Sequence, residues 1–191
     1  MANRPAKKSK MDFLKNKFVL VGIILVAGIA LLAIVGAVLG GGKGGIKEQS
    51  FALQPRLDST TETISNYQSL IKSSLLRSDS TSLSGILSNT NRDLSNYISE
   101  KYKSAKPEKK AQDAEEEHKT ALDAELFEAR INGILDRIYA HKMSYEITLI
   151  VSMESKLYDA TSDDTLKEIL NTSYSSLEVI HEKFENYTEA K

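Results

Sequence analysis

The sequence predicts an all-α protein: a single N-terminal transmembrane helix followed by an antiparallel four-helix bundle. Three observations carry this expectation. Phe18 to Leu39 contain no ionisable or strongly polar side chain. From residue 49 onward only Pro55, Pro107, Gly85 and Gly133 interrupt the chain as helix breakers, and alternating strand patterns are missing. Apolar residues recur there at three- and four-residue spacing, the period of a helix face.

The net charge of −1 over 191 residues conceals a strong asymmetry. Residues 1–17 carry Arg4, Lys7, Lys8, Lys10, Lys15 and Lys17 against Asp12 alone, which reads as a basic cytoplasmic tail. Residues 49–191 are acidic overall, so nucleic acid is not an expected partner. The absence of cysteine excludes a disulfide framework and thiolate metal sites.

A helix over 18–39 would span roughly 33 Å, enough for a hydrocarbon core of about 30 Å. The run is longer than the apolar region of a signal peptide and ends in Gly40-Gly41-Gly42-Lys43-Gly44-Gly45, not in a small-x-small cleavage site. An uncleaved signal anchor in the cell membrane is therefore expected, with the lipid bilayer as partner. The positive-inside rule puts the N-terminus in the cytoplasm and residues 49–191 outside. Ala33/Ala37 and Gly36/Gly40 have the small-xxx-small spacing that lets two membrane helices approach, which offers a route to a dimer. Residues 40–48 read as a Gly-rich spacer. They do not form a phosphate-binding loop, because Gly42-Lys43 is followed by Gly44 where Ser or Thr is required.

Residues 49–191 form the predicted extracytoplasmic bundle. The first helix, about 49–77, places Leu53, Leu57, Ile64, Tyr67, Ile71 and Leu75 on one face, and Ser78-Asp79-Ser80-Thr81 supplies turn and cap chemistry. The second, about 80–103, repeats the stripe with Leu83, Ile86, Leu87, Leu94, Tyr97 and Ile98. Lys101 to Glu117 read as a solvated connection leading into a helix. The stretch 110–160 is too long for one ordinary helix, and Asn132-Gly133 predicts a break. Thr161-Ser162-Asp163-Asp164 caps a last helix over about 164–188, whose stripe runs from Leu166 through Leu170, Leu177 and Ile180 to Phe184. Such faces cannot be buried singly, so the helices are expected to share one core.

Candidate sites are few. No Cys and no Gly-x-Ser-x-Gly elbow is present, which disfavours nucleophilic hydrolysis. Glu115-x-x-His118 and Glu178-x-x-His181 place a carboxylate and an imidazole one helical turn apart, the spacing that carboxylate-bridged metal bundles use. His118 follows Asp113, Glu115, Glu116 and Glu117 and reads as part of a solvated face. The metal alternative therefore falls on Glu178 and His181 with Glu146 and Glu154, for iron or another divalent metal. The plainer expectation is no cofactor, with His181 a hydrogen-bonded histidine on a core stripe.

Leu135-Asp136-x-x-Tyr139-x-x-x-Met143, followed by Thr172-Ser-Tyr-Ser-Ser-Leu177 and His181, resembles a group of bacterial exported proteins with ferritin-like four-helix domains and no settled activity. The resemblance is best over residues 130–185. It implies a ferritin-like bundle for the outer domain. Two positions depart from the group: Ile147 stands where it usually has a His, and the final His falls at 181, one place late. The functional expectation is a membrane-anchored, extracytoplasmic binding module that engages a protein or cell-envelope partner and is not an enzyme. The alternative is a ferritin-like metal-binding or oxidoreductase domain.

Overall fold

The computed structural model describes residues 45–103 and 109–188. They form five α-helices: α1 (Ile46–Tyr67), α2 (Ser74–Tyr102), α3 (Lys109–Ile131), α4 (Leu135–Ala160) and α5 (Asp164–Glu185), with a short 3₁₀ turn (Gln68–Leu70) between α1 and α2. The all-α class is as the periodicity requires. The four-helix expectation is corrected to five, because α3 is a full helix and packs on α1 and α4.

The transmembrane expectation is corrected as well. Among the described residues no helix is long and apolar enough to cross a membrane. Each is amphipathic, and its solvated face carries charges that lipid would not accept. The expected span 18–39 lies outside the described residues, as do the basic tail 1–17 and the dimer stripe of Ala33, Gly36, Ala37 and Gly40. A single-pass protein of the cell membrane with residues 49–191 outside is therefore not supported. The expected spacer 40–48 is also shortened at its end: α1 starts after Gly45, so residues 46–48 are helical.

Polar side chains pair between the helices in ladders that fix direction and register. Along α1 and α2, Gln54 meets Ser95, Asp58 meets Asn91 and Gln68 meets Thr81, an antiparallel pairing. Along α2 and α5, Asp79 meets Lys183, Thr90 meets Ser173 and Lys101 meets Asp163, again antiparallel. Along α1 and α3 the order is parallel: Arg56 and Ser59 meet Glu115, Glu62 meets Lys119, and Thr63 and Tyr67 meet Asp123. Helices α1, α2, α5 and α4 thus close a ring of antiparallel neighbours. Helix α3 lies over the α1/α4 side and carries the chain from the end of α2 back to the start of α4.

The core fills that ring. Leu53, Leu57 and Ile64 of α1 face Leu83, Leu87 and Leu94 of α2, with Tyr139, Met143 and Ile147 of α4 and Leu166, Leu177 and Phe184 of α5, all buried. Burying each such side chain contributes about 1.5–3 kcal/mol. The Tyr139 and Phe184 rings stack obliquely with centroids 6.3 Å apart.

The helix ends show where local signals succeeded and where they did not. Asp163 caps α5, accepting from the backbone N–H groups of Thr165 and Leu166. The chain breaks after α3 as Asn132-Gly133 predicts, with Gly133 at φ +71°, a conformation that favours glycine. The α1–α2 break, in contrast, falls at residues 71–73 and not at 78–81. Ser80, Thr81 and Ser82 donate their hydroxyls to carbonyls four residues back and stay helical. Ser73 caps α2 instead, accepting from the N–H of Leu76. The buried Asp136 carboxylate of α4 takes the N–H groups of Lys72 and Ser73. Leu75, expected on the core stripe of the first helix, is consequently exposed at the start of α2.

Candidate functional site

The most concentrated chemistry lies where α1, α3 and α4 meet. Arg56 Nη1 donates to Glu146 Oε2 at 3.0 Å, and Nη2 lies 2.9 Å from Glu115 Oε2. Glu146 Oε1 takes a second bond, 2.8 Å long, from His118 Nε2. A carboxylate oxygen only accepts, so His118 carries its proton on that nitrogen. Ser59 donates to the remaining oxygen of Glu115. Arg56, Glu115 and Glu146 are all buried.

Burial by itself would push the Glu146 carboxyl up. The hydrogen bond and charge of His118, together with the Arg56 guanidinium, outweigh it and hold Glu146 below the ordinary carboxylate range. The planar guanidinium fills the space between the two carboxylates. The two Arg56 Nη groups, both carboxylates and His118 Nε2 are thus bound to one another, while Arg56 Nε is buried without a partner among the described residues, and the cluster fastens α3 to α1 and α4. Neither carboxylate is free to act as a base.

A second buried group is less complete. Glu154 of α4 is 1% exposed, and its Oε1 accepts from Ser173 Oγ of α5 at 2.6 Å. Ser173 in turn accepts from Thr90 of α2 at 2.9 Å, so one relay of hydroxyls joins three helices. Burial raises the Glu154 carboxyl to about 7, against the Ser173 bond that lowers it.

The residues expected to bind metal are dispersed by this arrangement. Glu146 is held by Arg56 and His118, and Glu154 by Ser173. Glu178 is exposed on the outer side of α5. His181 turns its Nε2 toward Ser144 and Thr148, at 3.1 and 3.2 Å, the hydrogen-bonded role that its place on a core stripe suggests. His141 is exposed on α4. Among the described residues no three His, Asp or Glu side chains are placed to hold a metal ion together. Glu178, His181, Glu146 and Glu154 as placed do not form one ligand set.

Glu115 and His118 stand in a run whose composition suggests a solvated face, but the structure buries Glu115 and half-buries His118. The signal that places Glu115 inside is its register: Leu122, Leu126 and Ala129, all buried, follow it at seven, eleven and fourteen residues on the same face of α3. Arg56, Ser173 and Thr90 gave no sequence signal of their own.

The outer side of α3 is unusual for a solvated face. Ala124, Phe127 and Ile131 stand there at helical spacing, opposite Leu122, Leu126 and Ala129, with Phe127 55% and Ile131 69% exposed. Exposed acids flank this stripe, among them Glu117, Glu125 and Glu128. Comparison with models of known protein families, with curated proteins and with solved structures finds no match for the chain.

Proposed function

We propose that the protein is a non-catalytic helical-bundle binding module that uses the outward face of α3 to engage a protein partner. The observation that carries this reading is the exposed pair Phe127 and Ile131, one turn apart on a helix whose other side is already buried. Apolar side chains of this size, aligned on one face and rimmed by charge, are the usual anchor of a helix-in-groove contact. The exposed acids Glu117 and Glu128 beside this stripe favour a partner whose apolar stripe is bordered by Lys or Arg. The internal pairing of the Arg56 cluster supports a binding role over a catalytic one, since its carboxylates are engaged with each other's counter-charge.

The test is photo-cross-linking from position 127 in cells that make the full chain, with position 168 on α5 as control. A discrete adduct from 127, absent from 168 and lost in the Phe127→Ser/Ile131→Ser variant, is the expected result. Both substituted side chains are exposed, so the variant should unfold at the same temperature as the parent. An adduct within the chain, to residues 1–44, would identify an internal occupant and overturn the separate partner; identical patterns from 127 and 168 would do so too.

A further inference from the structure

The outward face of α3 carries a longer pattern than its apolar pair. Asp113, Glu117, Thr120, Ala124, Phe127 and Ile131 are all exposed and follow one another at intervals of four, three, four, three and four residues. That is the repeat of a helix that packs against a second helix. The stripe is graded: its first half is acidic and polar, its second half apolar. Glu116 adds to the acidic half, and neither it nor Glu117 has an ion-pair partner among the described residues.

The end of the bundle beyond Ile131 has the opposite charge. Arg130 stands in the last turn of α3 and Arg137 in the first turn of α4. The link between α1 and α2 brings Lys72 to the same end, its backbone N–H on the Asp136 carboxylate. All three cations are exposed and without an ion-pair partner among the described residues, and Asp136, the acid among them, is buried. An apolar centre with acids on one side and cations on the other is complementary to itself under a two-fold rotation.

We infer that the partner of the α3 face is a second copy of the chain, an identification that rests on the docking role proposed for that face: the two α3 helices pack antiparallel about an axis between Ala124 and Phe127. In this register Phe127 covers the small Ala124 of the second copy, and Ile131 covers its Thr120. Glu116 and Glu117 lie toward its Lys72, Arg130 and Arg137, and every contact occurs twice. A parallel pairing would set acid against acid and leave the cations unmatched. One helix and one turn from each chain make a small interface, under about 1,200 Å² in total, so the dimer is a reversible one.

The chain contains no cysteine, so introduced cysteines report contacts cleanly. Two differently tagged full-length copies, one Thr120→Cys and the other Ile131→Cys, are made together in cells and treated with a short bismaleimide. The mixed pair should give a product of twice the chain mass. Ile131→Cys with itself should give at least about fivefold less, because antiparallel pairing sets the two residues about 16 Å apart along the helices. Glu116→Lys/Glu117→Lys in both copies should reduce the mixed product about tenfold. Adding Arg130→Glu/Arg137→Glu to the same chains should restore it, a rescue that loss of folding would not give. A stronger product from Ile131→Cys alone, no rescue by the second charge reversal, or no chain-to-chain product would each overturn the second copy as partner. In the last case an adduct from position 127 with another protein leaves the docking role of α3 standing, and the lack of any adduct removes both.

Discussion

Two buried carboxyls, one on each side of α4, show how a single side chain's surroundings decide what it contributes. Glu154 is raised by burial from an ordinary 4.5 to about 7. Folding therefore favours its protonated form, and this contribution is complete below pH 4.5 and lost as pH rises through 7. The difference corresponds to about 3 kcal/mol. Glu154→Gln, which cannot ionise, should match the parent near pH 4.5 and exceed it by about 1–3 kcal/mol at pH 8; urea denaturation at the two pH values measures this. Arg56 presents the opposite case. Arg56→Met leaves Glu115 and Glu146 buried with no cation between them, an expected loss of about 3–5 kcal/mol in the same measurement.

At the scale of the element, α3 differs from its neighbours. Among its described side chains the buried ones are Leu122, Leu126, Ala129 and the ion-paired Glu115, whereas α4 buries apolar residues along its whole length. Much of the attachment of α3 is therefore polar, through Arg56–Glu115, Glu62–Lys119 and Lys142–Glu125. Helices with few apolar contacts open at lower free energy than the global transition. In native-state hydrogen exchange, the amides of 115–129 should exchange faster than those of 139–153. Arg56→Met should accelerate α3 further while leaving the α2–α5 pair protected, and uniform protection across the five helices would contradict this picture. The start of α2 teaches a related lesson. Ser78 to Thr81 have the composition of a turn, yet they remain helical because their hydroxyls bond within the helix and Asp136 of α4 fixes the break at residues 72 and 73.

For the whole molecule, the two carboxyls act with opposite sign. The depressed Glu146 adds stability above its ordinary value of 4.5 that is lost as pH falls through its folded value. The raised Glu154 adds stability that fades between pH 4.5 and about 7. Thermal unfolding followed by circular dichroism should thus show a maximum near about pH 5, with Glu154→Gln flattening the alkaline side alone. A maximum above pH 7 in the parent would contradict the placement of Glu154.

The periodicity of residues 49–188 by itself determined that the chain is helical, that Asp163 starts the last helix and that Asn132-Gly133 ends another, because those features depend on neighbours within a turn or two. The tertiary structure decided which polar residues are inside. Glu115 and His118 sit in an acidic run whose local composition looks solvated, yet Glu115 is buried and His118 half-buried, against Arg56 of α1 and against Glu146, which stands ninety positions beyond that arginine. No local pattern encodes such a partner. A buried charge is stable only where a counter-charge or hydrogen-bond donors arrive from elsewhere in the fold, and that meeting exists only after the five helices have packed.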